Sequence, residues 1–419
     1  MMRHIIKVIW NERKSNVLIF LEFIVVFCVF WFCSDYLYYI GSRYFEPLGY
    51  DIKHTYLIEM RMNADIEEAK DDRYGHTMIL QERLEKYPGI EGVSISRAAI
   101  PYGNSTSSQG QLVNNDSIAY TVLVKQVNPG YFDVFKMNLE YGRIFNEVDV
   151  TNEDRVALIS PNRNGYFQDE KNPAIPITEV KQLRRDKDDD KPYTVIGVTG
   201  KQKRSAFNGY DCAMFKPLTR SQYEIKYCET VVRVNPDAAE GFMDRFRKEM
   251  KDQLLIGPYY LDNVTSLEER KERYDEGDTG DEIKSVLAIT AFLFINVFLG
   301  IIGTFWSRTE SRRSEIGLRL ALGSSKRKVQ WQMFTETMIL LLIASLIGAY
   351  ICVNLGQSEL LETIGIPLAD YKQAGFGSGH YFLNYGITLL FLAIISGFAV
   401  WYPSRLASRI QPADTLRAE

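Results

Sequence analysis

The chain has 419 residues, 46% hydrophobic and 24% charged, with a formal net charge of −4. A balance that mild names no partner and gives no reason to invoke nucleic acid. The mean hydropathy is slightly negative, yet four long apolar runs stand out. That excludes a protein buried mostly in lipid and implies membrane spans attached to a large polar domain.

Residues 1–16 form a cytoplasmic segment carrying Arg3, Lys7, Arg13 and Lys14, and residues 17–40 form the first span. This run is too long for a signal peptide, ends in Tyr36, Tyr38 and Tyr39 and is followed by no small-residue cleavage site, so it reads as a retained anchor. Glu22 lies about one turn inside it, where a carboxylate is costly unless it is paired or near the interface; an interfacial or inter-helix contact is the reading taken. Asp35, near the outer end, is placed within reach of water.

Residues 41–282 form one large extracytoplasmic domain. "HTYLIEM" alternates as a strand, "GHTMILQERLEKYPG" has helical spacing and "IEGVSISRAAI" returns as a strand. Much later "ETVVRVN", the helix "PDAAEGFMDRFRKEMKDQL" and "PYYLDNVTSL" repeat the pattern. Two such units combine into a split βαβ sandwich. Between them lies a β-rich insert containing "RVALISP", "YTVIGVTG" and "CAMFKPL". "IPYGNSTSSQGQLVNNDS" is predicted to be an exposed mobile loop, and "LRRDKDDDKP" a solvated loop rather than an oxygen cage for a metal. Cys212 and Cys228 lie where a disulfide is permitted, but spacing does not establish a pair. His4, His54, His76 and His380 show no metal-ligand spacing.

The second span covers residues 283–306, with Asn296 in its middle and Gly300 and Gly303 beyond it. Asn296 is predicted to bond across a helix interface, and the glycines to let helices approach. Residues 307–332 are a dense basic segment, followed by spans at 333–355 and 382–402, an external loop at 356–381 whose only Lys or Arg is Lys372, and a tail at 403–419. Each span has the roughly 20 residues needed to cross a hydrocarbon core of about 30 Å. With four spans every basic segment falls on one side, which the positive-inside rule makes cytoplasmic. The fold class is α+β: one transmembrane helix before and three after an extracytoplasmic domain.

The basic segment reads as a short helix from Ser314 to Leu322, a stop at Gly323 and a new helix capped by Ser324 or Ser325. Ile316 and Leu320, four apart, are predicted to form an exposed apolar face with no core of the chain to cover them. The competing reading is a basic amphipathic segment on anionic lipid. There is no G-x-x-x-x-G-K-[ST], no H-E-x-x-H and no G-x-S-x-G, so the residues give no support to an enzyme.

"ESRRSEIGLRLALGSSKRKVQWQMFTE" resembles the loop of MacB/FtsX-type ABC transporter permeases, with its E-I-G-x-R-x-A-L-G core. "WYPSRLASRIQPADTLRAE" resembles that family's ending, and "VNPGYFDVFKMNLEYGRIFNEVD" its periplasmic domain with the G-R-x-F turn. The order of one span, a large domain and three spans is also similar. The resemblance implies a non-catalytic permease subunit in a cell inner membrane, with its domain in the periplasm. It assigns Glu315, Ile316, Gly317, Arg319, Leu320 and Gly323 to an ATPase-coupling helix. The implied partners are two copies of a separate ABC ATPase, which uses the ATP, and a second permease subunit, identical or paralogous; an adaptor and an outer-membrane channel follow by analogy. No cofactor or metal is expected on this chain. Efflux by mechanotransmission is the leading reading. An FtsX-like regulator of a cell-wall hydrolase and a lipoprotein-extracting permease stay open beside it.

Overall fold

A computed structural model describes residues 13–103, 105–114, 118–151, 155–169, 172–186, 191–311, 316–318, 322–357 and 378–407. The chain divides into two compact units, Met1–Gly41 with Asp281–Glu419, and Ser42–Gly280. The first helix, α1 (Arg13–Phe45), is long and apolar enough to cross a membrane over Asn16–Phe45.

The Ser42–Gly280 unit opens with β1 (Thr55–Met62), α2 (Asp72–Glu85) and β2 (Ile90–Arg97). Then come β3 (Ser108–Val113), β4 (Ala119–Val127), α3 (Gly130–Val134), β5 (Leu139–Gly142) and α4 (Glu147–Thr151). They are followed by β6 (Val156–Ser160), β7 (Tyr166–Phe167), β8 (Ile175–Pro176), β9 (Gln182–Arg184), β10 (Tyr193–Thr199) and β11 (Ala213–Pro217). The unit ends with β12 (Glu229–Val234), α5 (Pro236–Ala239), α6 (Phe242–Met250) and β13 (Tyr259–Ser266).

The two distant βαβ units share a sheet in the order β2-β12-β1-β13, all neighbours antiparallel. Side-chain alternation gives this sheet two apolar faces. Tyr56, Ile58, Val232 and Val234 face Leu80 and Leu84 of α2 and Phe242, Phe246 and Met250 of α6. Leu57 and Val231 face the opposite way, onto Tyr131, Phe132 and Val134 of α3. Each fully covered side chain of this kind contributes about 1.5–3 kcal/mol.

The insert closes on itself, because β11 pairs with β6 at one end of the run β6-β10-β9-β3-β4 and with β4 at the other. Its interior holds Val122, Val124, Ile159, Phe167, Leu183, Val198 and Met214.

Three sequence expectations are corrected in this unit. Part of the Ser/Asn/Gly-rich stretch is β3, pairing Ser108–Leu112 with Leu123–Ala119, and its Gln111, Leu112 and Val113 are buried. Closing the insert needs a strand between β9 and β4, and the ladder bonds outweigh poor intrinsic β-propensity. The single helix expected after Asn235 is two, α5 and α6, parted at Gly241 with φ +63°. Asn235 caps α5 by accepting from Asp237 N at 3.0 Å, and the left-handed glycine re-aims the chain so that Phe242 and Phe246 reach the sheet. Of the predicted charged loop, its first two residues, Leu183 and Arg184, belong to strand β9, and residues 187–190 lie outside the described residues.

The remaining helices are α7 (Leu267–Ser311), α8 (Lys326–Gln357) and α9 (Ser378–Ala407). Ile283–Thr304, Lys326–Gly356 and Gly379–Trp401 are each long and apolar enough to span. Phe23, Phe27 and Trp31 of α1 pack with Leu341 and Ala344 of α8 and Leu392 and Ile395 of α9 in one cluster. Gly348 permits this approach, since a Cβ there would stand 2.6 Å from the Phe27 ring. The α7 span is the least covered, with 6% of its apolar window buried against 33–39% for the other three.

Candidate functional site

The basic segment joins α7 to α8. Residues 312–315 and 319–321 lie outside the described residues, so Glu315, Arg319 and Leu320 receive no structural account. Between them Ile316–Leu318 is helical, and Leu322 N donates to Leu318 O at 2.9 Å. Gly323 takes φ +90°, and a Cβ there would meet no other described residue within 4 Å; this is the conformation that ends helices at lowest cost in glycine. Ser325 is the cap of α8: its Oγ accepts from Lys328 N at 3.3 Å, and its carbonyl accepts from Lys328 N and Val329 N.

The exposed face is not the one expected. Ile316 is 4% exposed and joins the cluster of Phe23, Val329 and Met333, while Gly317 is also buried. The chain's own membrane helices therefore cover Ile316, which the sequence reading assumed nothing could do. The outward apolar side chains are Leu318, 54% exposed, and Leu322, 79% exposed, themselves four apart.

Within the spans, Glu22 contacts α7: its Oε2 accepts from Thr304 Oγ1 at 3.3 Å, and a Cβ on Gly300 would meet its Oε1 at 2.6 Å. Gly300 thus makes the room that the sequence suggested, whereas a Cβ on Gly303 would meet no other described residue within 4 Å. Among the described residues Asn296 makes no bond across a helix interface. It is exposed, and its Nδ2 donates to Phe292 O of its own turn at 2.8 Å.

Asp35 does not reach water. It is 1% exposed and lies 2.5 Å from His380 Nε2, with His380 itself buried. Ser34, the residue before Asp35, donates from Oγ to Asn384 Oδ1 at 2.8 Å, one turn beyond His380, and lies 3.0 Å from Thr388 Oγ1. This α1–α9 network, and buried Glu336 accepting from Gln332 Nε2 at 3.0 Å in α8, were missed. Their signal was available: polar residues inside or beside apolar runs.

In the other unit, the G-R-x-F turn has a physical reading. Gly142 has φ +87°, and a Cβ there would stand 2.2 Å from Ile196 O. Arg143 donates to both Asp149 oxygens, at 2.5 and 2.8 Å, which holds the Asp149 carboxyl below its ordinary pKa. Phe145 is buried. Cys212 and Cys228 are both free. Cys212 sits in the insert interior and Cys228 beside Ile95 and Leu218, so their sulfurs belong to separate apolar clusters.

Two family descriptions match in turn. Residues 54–249 match the MacB-like periplasmic core domain, and residues 287–412 match the FtsX-like permease C-terminal domain. The chain belongs to the MacB/FtsX-type ABC transporter permeases. A macrolide export ATP-binding/permease protein MacB of Burkholderia lata is 26% identical over 330 residues, covering 75% of this chain and 44% of that protein. The chain therefore spans less than half the length of that relative. Among solved structures, the periplasmic region of MacB from Actinobacillus actinomycetemcomitans covers 56% of this chain and 99% of its own, at 15% identity and TM-score 0.32. The extracellular domain of the noncanonic ABC-type transporter YknZ from Gram-positive bacteria covers 49% and 100%, at 18% identity and TM-score 0.30.

Proposed function

We propose that this permease couples ATP hydrolysis on a separate ATPase subunit to movement of its extracytoplasmic domain, expelling substrates already outside the cytoplasm. The observation that carries the reading is α7. This 45-residue helix starts at Leu267, packed in the core of the sheet-bearing unit, and continues without a break through a membrane span to Ser311 beside the basic segment. A continuous helix of that length is about 68 Å long. A push at one end is transmitted along hydrogen-bonded backbone rather than through a loop. The basic segments set the orientation in a cell inner membrane: the segment between α7 and α8 faces the cytoplasm, and Ser42–Gly280 faces the periplasm.

In this reading the segment Ile316–Gly323 meets the ATPase through Leu318 and Leu322, while Ile316 fastens it to the chain's own helices. Two ATPase copies serve two permease subunits, and the second permease, identical or paralogous, covers the α7 face bearing Phe292, Asn296, Leu299 and Gly303. Asn296 and open Gly303 on one apolar stripe suit close helix–helix packing. ATP is used by the partner, and this chain carries no cofactor. An adaptor and an outer-membrane channel complete the export route.

The test is purification of the intact membrane complex with every subunit identified by mass spectrometry, followed by ATP turnover in lipid nanodiscs. A nucleotide-binding subunit that co-purifies, and whose turnover depends on this chain, supports the reading. A complex without one overturns it. Capture of a cell-wall hydrolase or of lipoproteins in place of export components would move the function to regulation or lipoprotein extraction while keeping the coupling.

A further inference from the structure

The Ser42–Gly280 unit contains a small cleft that the coupling reading does not use. One wall follows β2 and is made by Ala98–Gly103 and Ser105–Ser107, and the other is the segment Gln202–Asp211, with Lys125 of β4 between them. The space open inside is about 30 Å³, where one water needs roughly 10–15 Å³. It therefore suits a group that displaces two or three waters and excludes a drug-sized molecule.

The charge lining this space is uneven. Lys125, Lys203 and Arg204 border it, against the single carboxylate of Asp211. Lys203 is committed elsewhere: it is fully buried, donates to the carbonyls of Arg43, Glu46 and Ala206, and lies 3.6 Å from Glu46 Oε2. Lys125 is not so committed. Its Nζ donates to Gln202 Oε1 at 3.2 Å and lies 5.2 Å from the centre of the Phe215 ring. Among the described residues no carboxylate stands within 4 Å of it; Asp211 and Glu229 act on it only through longer-range charge. Desolvation pulls its pKa down to about 8, as burial does to any ammonium lacking a close counter-ion. Ser105, Thr106 and Ser107 add hydroxyl donors to the same lining.

Both walls are held in place. Glu229 Oε2 accepts from Ser96 Oγ and from the amides of Ala99 and Ile100 at 3.0–3.1 Å, pinning the first wall. Within that wall Ala98 and Tyr102 take φ +54° and +57°, positions where a side chain stores strain and which concentrate at functional sites. The second wall is seated on the chain that leaves α1. Lys203 N donates to Leu48 O at 3.0 Å and Tyr210 Oη to Pro47 O at 2.7 Å, while a Cβ on Gly49 would stand 1.9 Å from Lys201 O. The first wall is tied to the opening turns of α7, where Arg270 Nε donates to Tyr102 O at 2.9 Å. The two walls thus hang on different stems, the end of α1 and the start of α7.

We infer that this cleft binds a compact oxyanion, a carboxylate or phosphate group, with Lys125 as its counter-ion and the Ser105–Ser107 hydroxyls as donors. The group is supplied either by a free small anion or by the headgroup of an amphiphile. Oxyanion binding stands on the cleft alone.

The test uses the full chain in detergent without any ATPase, so its failure leaves the permease assignment untouched. Amines are dimethylated reductively near pH 8, and labelling of Lys125 is timed by peptide mass spectrometry against exposed Lys248 and Lys251. Only the neutral amine reacts, so an anion slows labelling both by covering Lys125 and by holding it protonated. Inorganic phosphate at about twice its dissociation constant should slow Lys125 about threefold and leave Lys248 and Lys251 unchanged, relative to chloride at equal ionic strength. Acetate should protect in the same manner. Dihexanoylphosphatidic acid acting at lower concentration than phosphate assigns the site to a headgroup; equal or weaker action assigns it to a free anion. Lys125 labelled equally fast in phosphate, acetate, the lipid and chloride, with unchanged circular dichroism, overturns the inference. Equal slowing of Lys248 and Lys251 overturns it too.

Discussion

The apolar pair Leu318 and Leu322 gives the coupling reading its most direct test. Fully burying a leucine contributes about 1.5–3 kcal/mol. Scaled by exposures of 54% and 79%, a partner that covered both would gain roughly 0.8–1.6 and 1.2–2.4 kcal/mol, about 2–4 together, before the cost of association. Changing both to Asp removes this gain and adds a desolvation cost at the contact, so ATPase binding should weaken by at least about thirtyfold and up to about a thousandfold. The protein itself should insert and fold normally, because neither side chain contributes to its core. Ile316→Ala should behave differently. It opens a cavity in the helix cluster and costs about 2–5 kcal/mol of the chain's own stability, seen as a lower melting temperature in detergent. The assay is titration of the purified ATPase onto the permease in nanodiscs, read by co-elution and by ATP turnover. A doubly substituted Leu318→Asp, Leu322→Asp chain that binds within about threefold of wild type would refute the docking assignment, leaving the segment as a lipid-surface element.

Four other outcomes follow from the geometry. Gly142→Ala forces a Cβ against the Ile196 carbonyl at φ +87°, a clash backbone relieves only by moving; it should cost about 3 kcal/mol or more, read as a melting temperature lower by about 6–12 °C. Asp149, held below its ordinary pKa by Arg143, contributes stability above the unfolded carboxylate value of about 3.9 and loses it as pH falls through the lower folded value. The destabilisation of Arg143→Gln should therefore be largest near neutral pH and fade in acid, checked by denaturant titration across pH. Gly300→Leu should loosen the α1–α7 contact at Glu22, and the added change Glu22→Ala should recover roughly half the lost thermal stability or more; no recovery would mean that Gly300 serves another neighbour. In a cysteine-free background of intact spheroplasts, Lys251→Cys should react with a membrane-impermeant maleimide and Ser325→Cys should not, which checks the topology.

What was legible in the sequence depended on how local its cause was. The two βαβ units showed themselves because strand and helix periods change within a few residues, at Pro88-Gly89 and at Asn235-Pro236. The Ser108–Val113 strand did not, since "SQGQLV" carries little intrinsic β-preference and is held by pairing to β4 and β9. Gly241 hid because the apolar spacing of Phe242, Phe246 and Met250 looks continuous with the preceding turn until its left-handed φ is seen.

The basic segment shows the same limit more sharply. A spacing of four identifies a helical face but not its direction. Ile316 with Leu320, and Leu318 with Leu322, fit that spacing equally well. The choice is made by residues about three hundred positions away, Ile19 and Phe23 of α1, together with Val329 and Met333 of α8, which gather Ile316 into their cluster. An even longer separation, 345 positions, lies between Asp35 and His380, whose pairing no single apolar run reveals. In both cases the usable signal was chemical rather than periodic. A charged or polar side chain inside an apolar run must find a partner, because leaving it alone in hydrocarbon is costly. An apolar side chain in a polar loop is under the corresponding pressure to be covered. Ile316 meets that requirement within the chain and Leu318 and Leu322 do not, so these two leucines, rather than the dense basic charge around them, define the surface on which a partner is to be sought.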